Sequence, residues 1–151
     1  MNIKVLIPLF ALVMVAIMGI YIVLNPSYQK SIKAKYYFEV GEYDEAYSLA
    51  KEAFELDLYN RMASTIMTQS QTSLKYVAYI DMGKKYMSEI DKIARKKFVK
   101  KKDKAKIKLM SEVMIESYVK LSSSVVTDKA LVKNAAEYNS GFEKILDKVN
   151  K

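Results

Sequence analysis

The sequence predicts an all-α protein: one N-terminal transmembrane helix, then a helical hairpin, then a long-helix bundle. Three observations carry that expectation. Val5 to Leu24 reads VLIPLFALVMVAIMGIYIVL, twenty residues without a charge, and about twenty apolar residues at 1.5 Å each cover the ~30 Å hydrocarbon core of a bilayer. The 151 residues include only four Gly and two Pro, so few places exist to turn and helix formers dominate. Beyond Leu24 apolar residues recur three and four apart, and no segment alternates as a strand does.

The anchor comes first. Met1-Asn-Ile-Lys4 is a short head with one Lys and the terminal amine, and the apolar run follows at once. A cleaved signal peptide is the competing reading; it needs a ~7–15-residue apolar core and a small-x-small cleavage site, whereas this run is longer and ends Ile22-Val23-Leu24-Asn25-Pro26. An uncleaved anchor over residues 1–25 fits better, with Pro8 near the first turn and Tyr21 and Tyr28 bracketing the exit as interfacial residues. Lys30, Lys33 and Lys35 beyond the run favour a cytoplasmic C-terminus by charge count. Long domains translocate largely regardless of charge, however, and a short head before the span is the usual form of an N-in anchor. The expectation is a bacterial-style single-pass protein of the inner membrane, its domain on the periplasmic or extracytoplasmic side.

Residues 26–60 read as a hairpin. Asn25-Pro26-Ser27 breaks the chain and Pro26 can start a helix. Ile32, Tyr36 and Val40 form one stripe, with Ala34, Tyr37 and Phe38 beside it, over Ser27 to Val40; Gly41 ends that helix. Tyr43, Ala46, Tyr47, Ala50, Ala53 and Phe54 then give an amphipathic helix with a mostly small inner face.

Ser27 to Asn60, 34 residues, resembles one tetratricopeptide repeat. Ala34 stands at the small position of the first helix and Tyr37 at the aromatic three further on. Gly41-Glu-Tyr-Asp-Glu-Ala46, Ala50, Ala53 and Glu55-Leu-Asp57 follow the pattern G-x-Y-x-x-A…A-x-E-L-D-P. The closing Pro is replaced by Leu58, the midway aromatic by Ala50, and the next 34 residues do not repeat the motif. In that family the first helix of a repeat lines the concave surface that holds a partner's peptide or helix. The resemblance therefore implies partner binding through Tyr28, Ser31, Lys35, Phe38 and Glu39; the bland alternative is a hairpin that only starts a bundle, since about three stacked repeats are the norm.

Residues 61–151 continue as three helices. Met62, Ile66, Gln69, Ser73, Tyr76, Ile80, Gly83, Met87, Ile90 and Ala94 form a heptad-spaced seam over about 35 residues. It is weak at Gln69 and Ser73 and is expected to pack against neighbouring helices. Lys100 to Asp103 is the expected turn, with Asp103 capping a helix whose stripe is Ile107, Met110, Met114, Ser117 and Leu121. Ser122-Ser-Ser124 marks a loop. Thr127 or Asp128 caps a last helix with Leu131, Ala135, Tyr138, Phe142, Ile145 and Val149 on one face.

The net charge of +8 is local. Lys92 to Lys108 holds ten cations (Lys92, Arg95, Lys96, Lys97, Lys100, Lys101, Lys102, Lys104, Lys106 and Lys108) against Asp103 alone, a net of +9. Glu39 to Asp57 holds seven acids against Lys51, a net of −6. Polybasic clusters draw phosphates, anionic lipid or acidic protein. Nucleic acid is disfavoured because Phe98 alone offers a stacking ring. If each helix reverses the last, the basic tip is carried away from the anchor, towards an acidic protein or an anionic wall polymer. Glu42, Asp44, Glu45, Glu52 and Glu55 offer a face for self-association, although exposed ion pairs contribute only about 0–1 kcal/mol each.

The chain has no His, Cys or Trp. It therefore lacks disulfides, thiolate metal sites and the commonest general base near neutral pH. Asp81, at the edge of an apolar stripe, and Lys75 nearby are the only slightly odd ionisable groups, and each reads as a helix-surface charge or a packed ion pair. No enzyme activity, cofactor or metal is expected. The expected function is protein–protein interaction beside the membrane, as scaffold, assembly factor or chaperone-like accessory of a membrane complex; the alternative is an envelope protein whose basic tip binds an anionic polymer or lipid.

Overall fold

The computed structural model describes residues 3–122 and 127–151, with side chains from residue 6 onward. Among these residues the elements are α1 (Ile3–Leu24), α2 (Pro26–Glu39), α3 (Tyr43–Leu56), α4 (Arg61–Ala94), α5 (Lys101–Val119) and α6 (Lys129–Asn150), with no strand. The all-α expectation holds. The chain divides into two compact units, Met1–Ser70 and Gln71–Lys151, the division falling within α4 where the seam thins to small polar residues.

α1 is long and apolar enough to cross a membrane: Leu6–Leu24 has a mean hydropathy of 2.7 and none of it is buried by the rest of the chain. Pro8 lies inside this helix, past its first turn. The expected break after Leu24 is one residue wide. Asn25 is extended (φ −84°, ψ 114°), its Oδ1 accepts from the N–H groups of Ser27 (2.9 Å) and Tyr28 (3.4 Å), and Pro26, with no N–H to lose, opens α2. Across the break the Gln29 amide donates to the Val23 carbonyl. The Tyr21 and Tyr28 rings meet edge to face at 6.1 Å.

In the first unit α2 and α3 pack along each other. Val40, Gly41 and Glu42 join them, and Gly41 carries the left-handed φ of 85° that glycine adopts without strain. Ala34, Ala46, Ala50 and Ile66 form the core, with Tyr37, Phe38, Leu49 and Met67 around it. The inner face expected for α3 is present: Tyr43, Ala46, Ala50 and Ala53 are buried. On α2 the apolar stripe faces outward. Ile32, Tyr36 and Val40 are 50%, 62% and 53% exposed, and Ser27, Ser31 and Ala34 are the buried residues. Small side chains on both helices let the backbones approach closely, and a stripe of Ile, Tyr and Val would hold them apart.

Polar residues hold this contact together. Ser27 Oγ donates to the Ala53 carbonyl (2.7 Å), and Ser31 Oγ donates to the Ser27 carbonyl (2.9 Å). Asn60, fully buried at the entry to α4, donates through Nδ2 to both hydroxyl oxygens at 2.8 Å and accepts from the Ala63 N–H at 3.1 Å. All three helices of the unit beyond α1 are thereby joined at one point.

In the second unit α4, α5 and α6 share a core of Tyr76, Tyr79, Ile80, Ile90, Ile93, Ile107, Met110, Met114, Ala135 and Phe142. The stripes expected on α5 and α6 point inward, as Ile107, Met110, Met114, Ala135 and Phe142 show. The α4 seam is right through its middle and shifted by one residue at its ends: Ala63, Ser70 and Ile93 are buried, while Met62 and Ala94 are exposed and Gln69 is half-buried. A straight helix drifts relative to a strict 3.5-residue repeat, so a seam fitted over about nine turns slips at both ends.

The turn before α5 is corrected too. α4 ends at Ala94, six residues intervene, and α5 begins at Lys101 with Lys100 as its N-cap. Asp103 sits in the first turn instead of ahead of it and reaches back to accept from the Lys100 N–H at 3.3 Å. Asp128 caps α6, accepting from the Ala130 N–H at 2.7 Å. The serine loop expected at 122–124 lies, beyond Ser122, outside the described residues, as do Met1 and Asn2 of the head.

Tyr79 is 3% exposed and its hydroxyl has no hydrogen-bond partner among the described residues; Ser70 and Ser73 Oγ share that state. Burial, then the neighbouring Tyr118 and Glu143, push the Tyr79 phenol up to about 12. The unfolded phenol ionises near 10, so the folded chain is favoured below that pH and loses this advantage as pH rises from about 10 to about 12. In Tyr79→Phe that alkaline loss is expected to flatten. Neutral-pH stability is expected to rise by about 1 kcal/mol, because an unpartnered buried hydroxyl is removed. Denaturant titrations of both chains at pH 7 and pH 11 check it.

Candidate functional site

Five residues of α2 are implied as partner-binding by the tetratricopeptide resemblance, and the fold separates them. Ser31 is corrected: it is fully buried and bonded to Ser27 and Asn60, so it faces the hairpin and no partner. Phe38 is half-buried, packed in the first core with its ring 5.5 Å from that of Tyr43, and serves the hairpin as well. Tyr28 is half-buried at the junction with α1. Lys35 and Glu39 are exposed and paired at 3.7 Å, one helical turn apart.

The outward face of α2 is instead formed by the apolar stripe that marks the helix in the sequence. Ile32, Tyr36 and Val40 lie four apart, one turn each, on the side away from Ser27, Ser31 and Ala34. Tyr36 stands edge-on to Tyr37 at 5.6 Å. With Lys35 and Glu39 beside them, these residues make an apolar stripe flanked by an ion pair. A surface of that kind accepts a helix or extended segment through apolar contact, with the charges fixing register. The sequence marked it as an apolar stripe; what it lacked was the choice of which stripe turns inward.

The acidic patch has local partners. Glu52 pairs with Lys30 and Glu55 with Lys51 (3.9 Å), while Asp44 and Glu45 occupy the first turn of α3, where negative charge complements the helix dipole.

The ten cations of 92–108 are all exposed. Lys92 is in the last turn of α4, Arg95, Lys96 and Lys97 in the connecting turn, Lys100 at the cap, and the others along α5. Three are paired: Lys96 with Asp103 (2.9 Å), Lys106 with Glu89, and Lys108 with Glu112 (3.8 Å). The hydrogen bond from Lys96, ahead of the Lys100 N–H and nearby charge, holds the Asp103 carboxyl below its ordinary value; that from Lys106 does the same for Glu89. Lys92, Arg95, Lys97, Lys100, Lys101, Lys102 and Lys104 have no ion pair among the described residues.

A cleft of about 580 Å³ between α4 and α6 has Asp81, Lys84, Glu137 and Tyr138 on its lining. Asp81 is paired with Lys84 at 2.9 Å, and this hydrogen bond raises the Lys84 pKa above its ordinary value. Lys75 is exposed. Among the described residues no three Asp or Glu side chains converge as a metal-binding group. Comparison with protein-family models, with curated proteins and with solved structures finds no match to this chain.

Proposed function

We propose that this chain is a single-pass protein of a bacterial inner membrane whose α2–α3 hairpin, on the extracytoplasmic side, engages another membrane protein through the outward face of α2. In this reading it acts as a scaffold, assembly factor or chaperone-like accessory of a membrane complex. The observation that carries the reading is the uncovered Ile32–Tyr36–Val40 stripe on a helix joined by one residue to an apolar helix of membrane-spanning length. Exposed apolar stripes rimmed by charge mark interaction surfaces, and α1 supplies the means to hold that surface beside a bilayer. Binding also suits a composition without His or Cys.

Photocrosslinking tests it. A benzophenone side chain in place of Tyr36 is expected to give one stoichiometric adduct with a second membrane protein in intact membranes. One in place of Ser48, exposed on α3, is expected to give none. The adduct should vanish in Ile32→Asp/Val40→Asp while helicity is unchanged. No adduct at Tyr36, or adducts to another copy of this chain alone, would overturn the reading.

A further inference from the structure

The turn between α4 and α5 carries more than charge. Phe98 is 76% exposed and Val99 39%, and neither belongs to the core of the second unit. Around them stand seven cations with no ion pair among the described residues: Lys92, Arg95, Lys97, Lys100, Lys101, Lys102 and Lys104. Solvating the end of a hairpin needs the lysines alone, and an exposed phenyl ring at its apex works against solubility. The exposed ring and the unpaired cations stand on the same turn, where one partner can meet both.

We propose that this turn docks onto an anionic lipid bilayer, the lysines and Arg95 meeting lipid phosphates while Phe98 enters the boundary between headgroups and acyl chains. A bilayer is the occupant that uses both features. Cations near an anionic surface gain from its negative potential, and an apolar ring gains from leaving water at the interface. A polyanion in solution would satisfy the cations and leave Phe98 wet. Nucleic acid would use one ring and has no further aromatic in the turn to continue a stack. The site is separate from the α2 face, so either can stand without the other.

The chain contains no Trp, so Phe98→Trp creates a single emission reporter at the apex. The full chain carrying it is assembled in nanodiscs of neutral phosphatidylcholine or of mixed phosphatidylcholine and phosphatidylglycerol. The neutral assemblies are then offered vesicles of either composition. The emission is expected to shift to the blue where phosphatidylglycerol is present, in the disc or in the added vesicle, and to return with salt. Each cation at such a surface is worth about fivefold in partition, so Lys97→Gln/Lys101→Gln/Lys102→Gln is expected to weaken vesicle binding about a hundredfold. Lys129→Gln/Lys144→Gln/Lys148→Gln, which removes the same charge from the surface of α6, is expected to leave it nearly unchanged. An emission indifferent to phosphatidylglycerol, or equal loss in the two triple variants, would sink the proposal. So would retention on polyphosphate with the reporter's emission still that of a solvated ring and no response to vesicles; that outcome would assign the turn to a soluble polyanion.

Discussion

Asn60→Ala is expected to cost about 3 kcal/mol in the α2–α3 unit. The side chain is fully buried, donates to Ser27 Oγ and Ser31 Oγ at 2.8 Å each, and caps α4 through the Ala63 N–H at 3.1 Å. A lost cap costs about 1 kcal/mol, and each buried hydrogen bond about as much again. Amide exchange reads the effect directly: protection across α2 and α3 should fall by about two orders of magnitude, while amides of α6 keep theirs. Asn60→Asp separates hydrogen bonding from volume. It keeps the cap acceptor but turns a second oxygen towards two hydroxyls whose protons are already given to the Ala53 and Ser27 carbonyls. At neutral pH it should therefore be at least as damaging as Ala. Burial raises a carboxyl pKa above the roughly 4 of the unfolded chain, so part of its loss should return as pH falls from neutrality towards about 4, where the folded carboxyl takes up a proton and can donate. Equal protection in wild type and Asn60→Ala would mean that the network holds nothing.

Gly83→Val is expected to cost about 2–3 kcal/mol, and Gly141→Ala to cost nothing or to stabilise. A Cβ at Gly83 would stand 2.9 Å from Cδ1 and 3.1 Å from Cγ of Tyr138, with the Met114 methyl at 3.4 Å. Cγ is the ring's attachment point and moves only if the packed Tyr138 side chain changes its χ1, so the overlap is taken up as strain. At Gly141 the near atom is only the Met87 methyl, 2.8 Å away at the end of a flexible side chain. There the roughly 1 kcal/mol by which Ala exceeds Gly in helix propensity is free to appear. Thermal unfolding of the two variants in the same detergent checks the pair. Unfolding of Gly83→Val at the wild-type temperature would refute the close α4–α6 approach.

The candidate surfaces were only partly legible. The run Val5–Leu24, the glycine turn at Gly41, the inner faces of α3 and α6 and the cap at Asp128 follow from local chemistry and stand where expected. In α2 two stripes competed, Ile32–Tyr36–Val40 and Ser27–Ser31–Ala34. Hydrophobicity favours the first, and close approach to Ala46, Ala50 and Ala53 requires the second. The signal was present in the small residues of α3, since a helix that offers only alanines needs small partners. The tetratricopeptide resemblance implied Ser31 on a binding face, where it is a buried strut.

By itself the sequence determined which segments are helical, where most of them stop, and that one apolar run and one basic run stand apart from the rest. Those properties depend on neighbours within a few residues: periodicity, caps, glycine, and the count of charges. Only the tertiary structure decided which face of α2 is core, that Asn60 joins three helices, that Phe98 is left in the open, and which cations of 92–108 keep a free charge. Each of these depends on what another helix brings to the same place, through packing distance or a hydrogen bond between residues as far apart in the chain as Ser27 and Asn60.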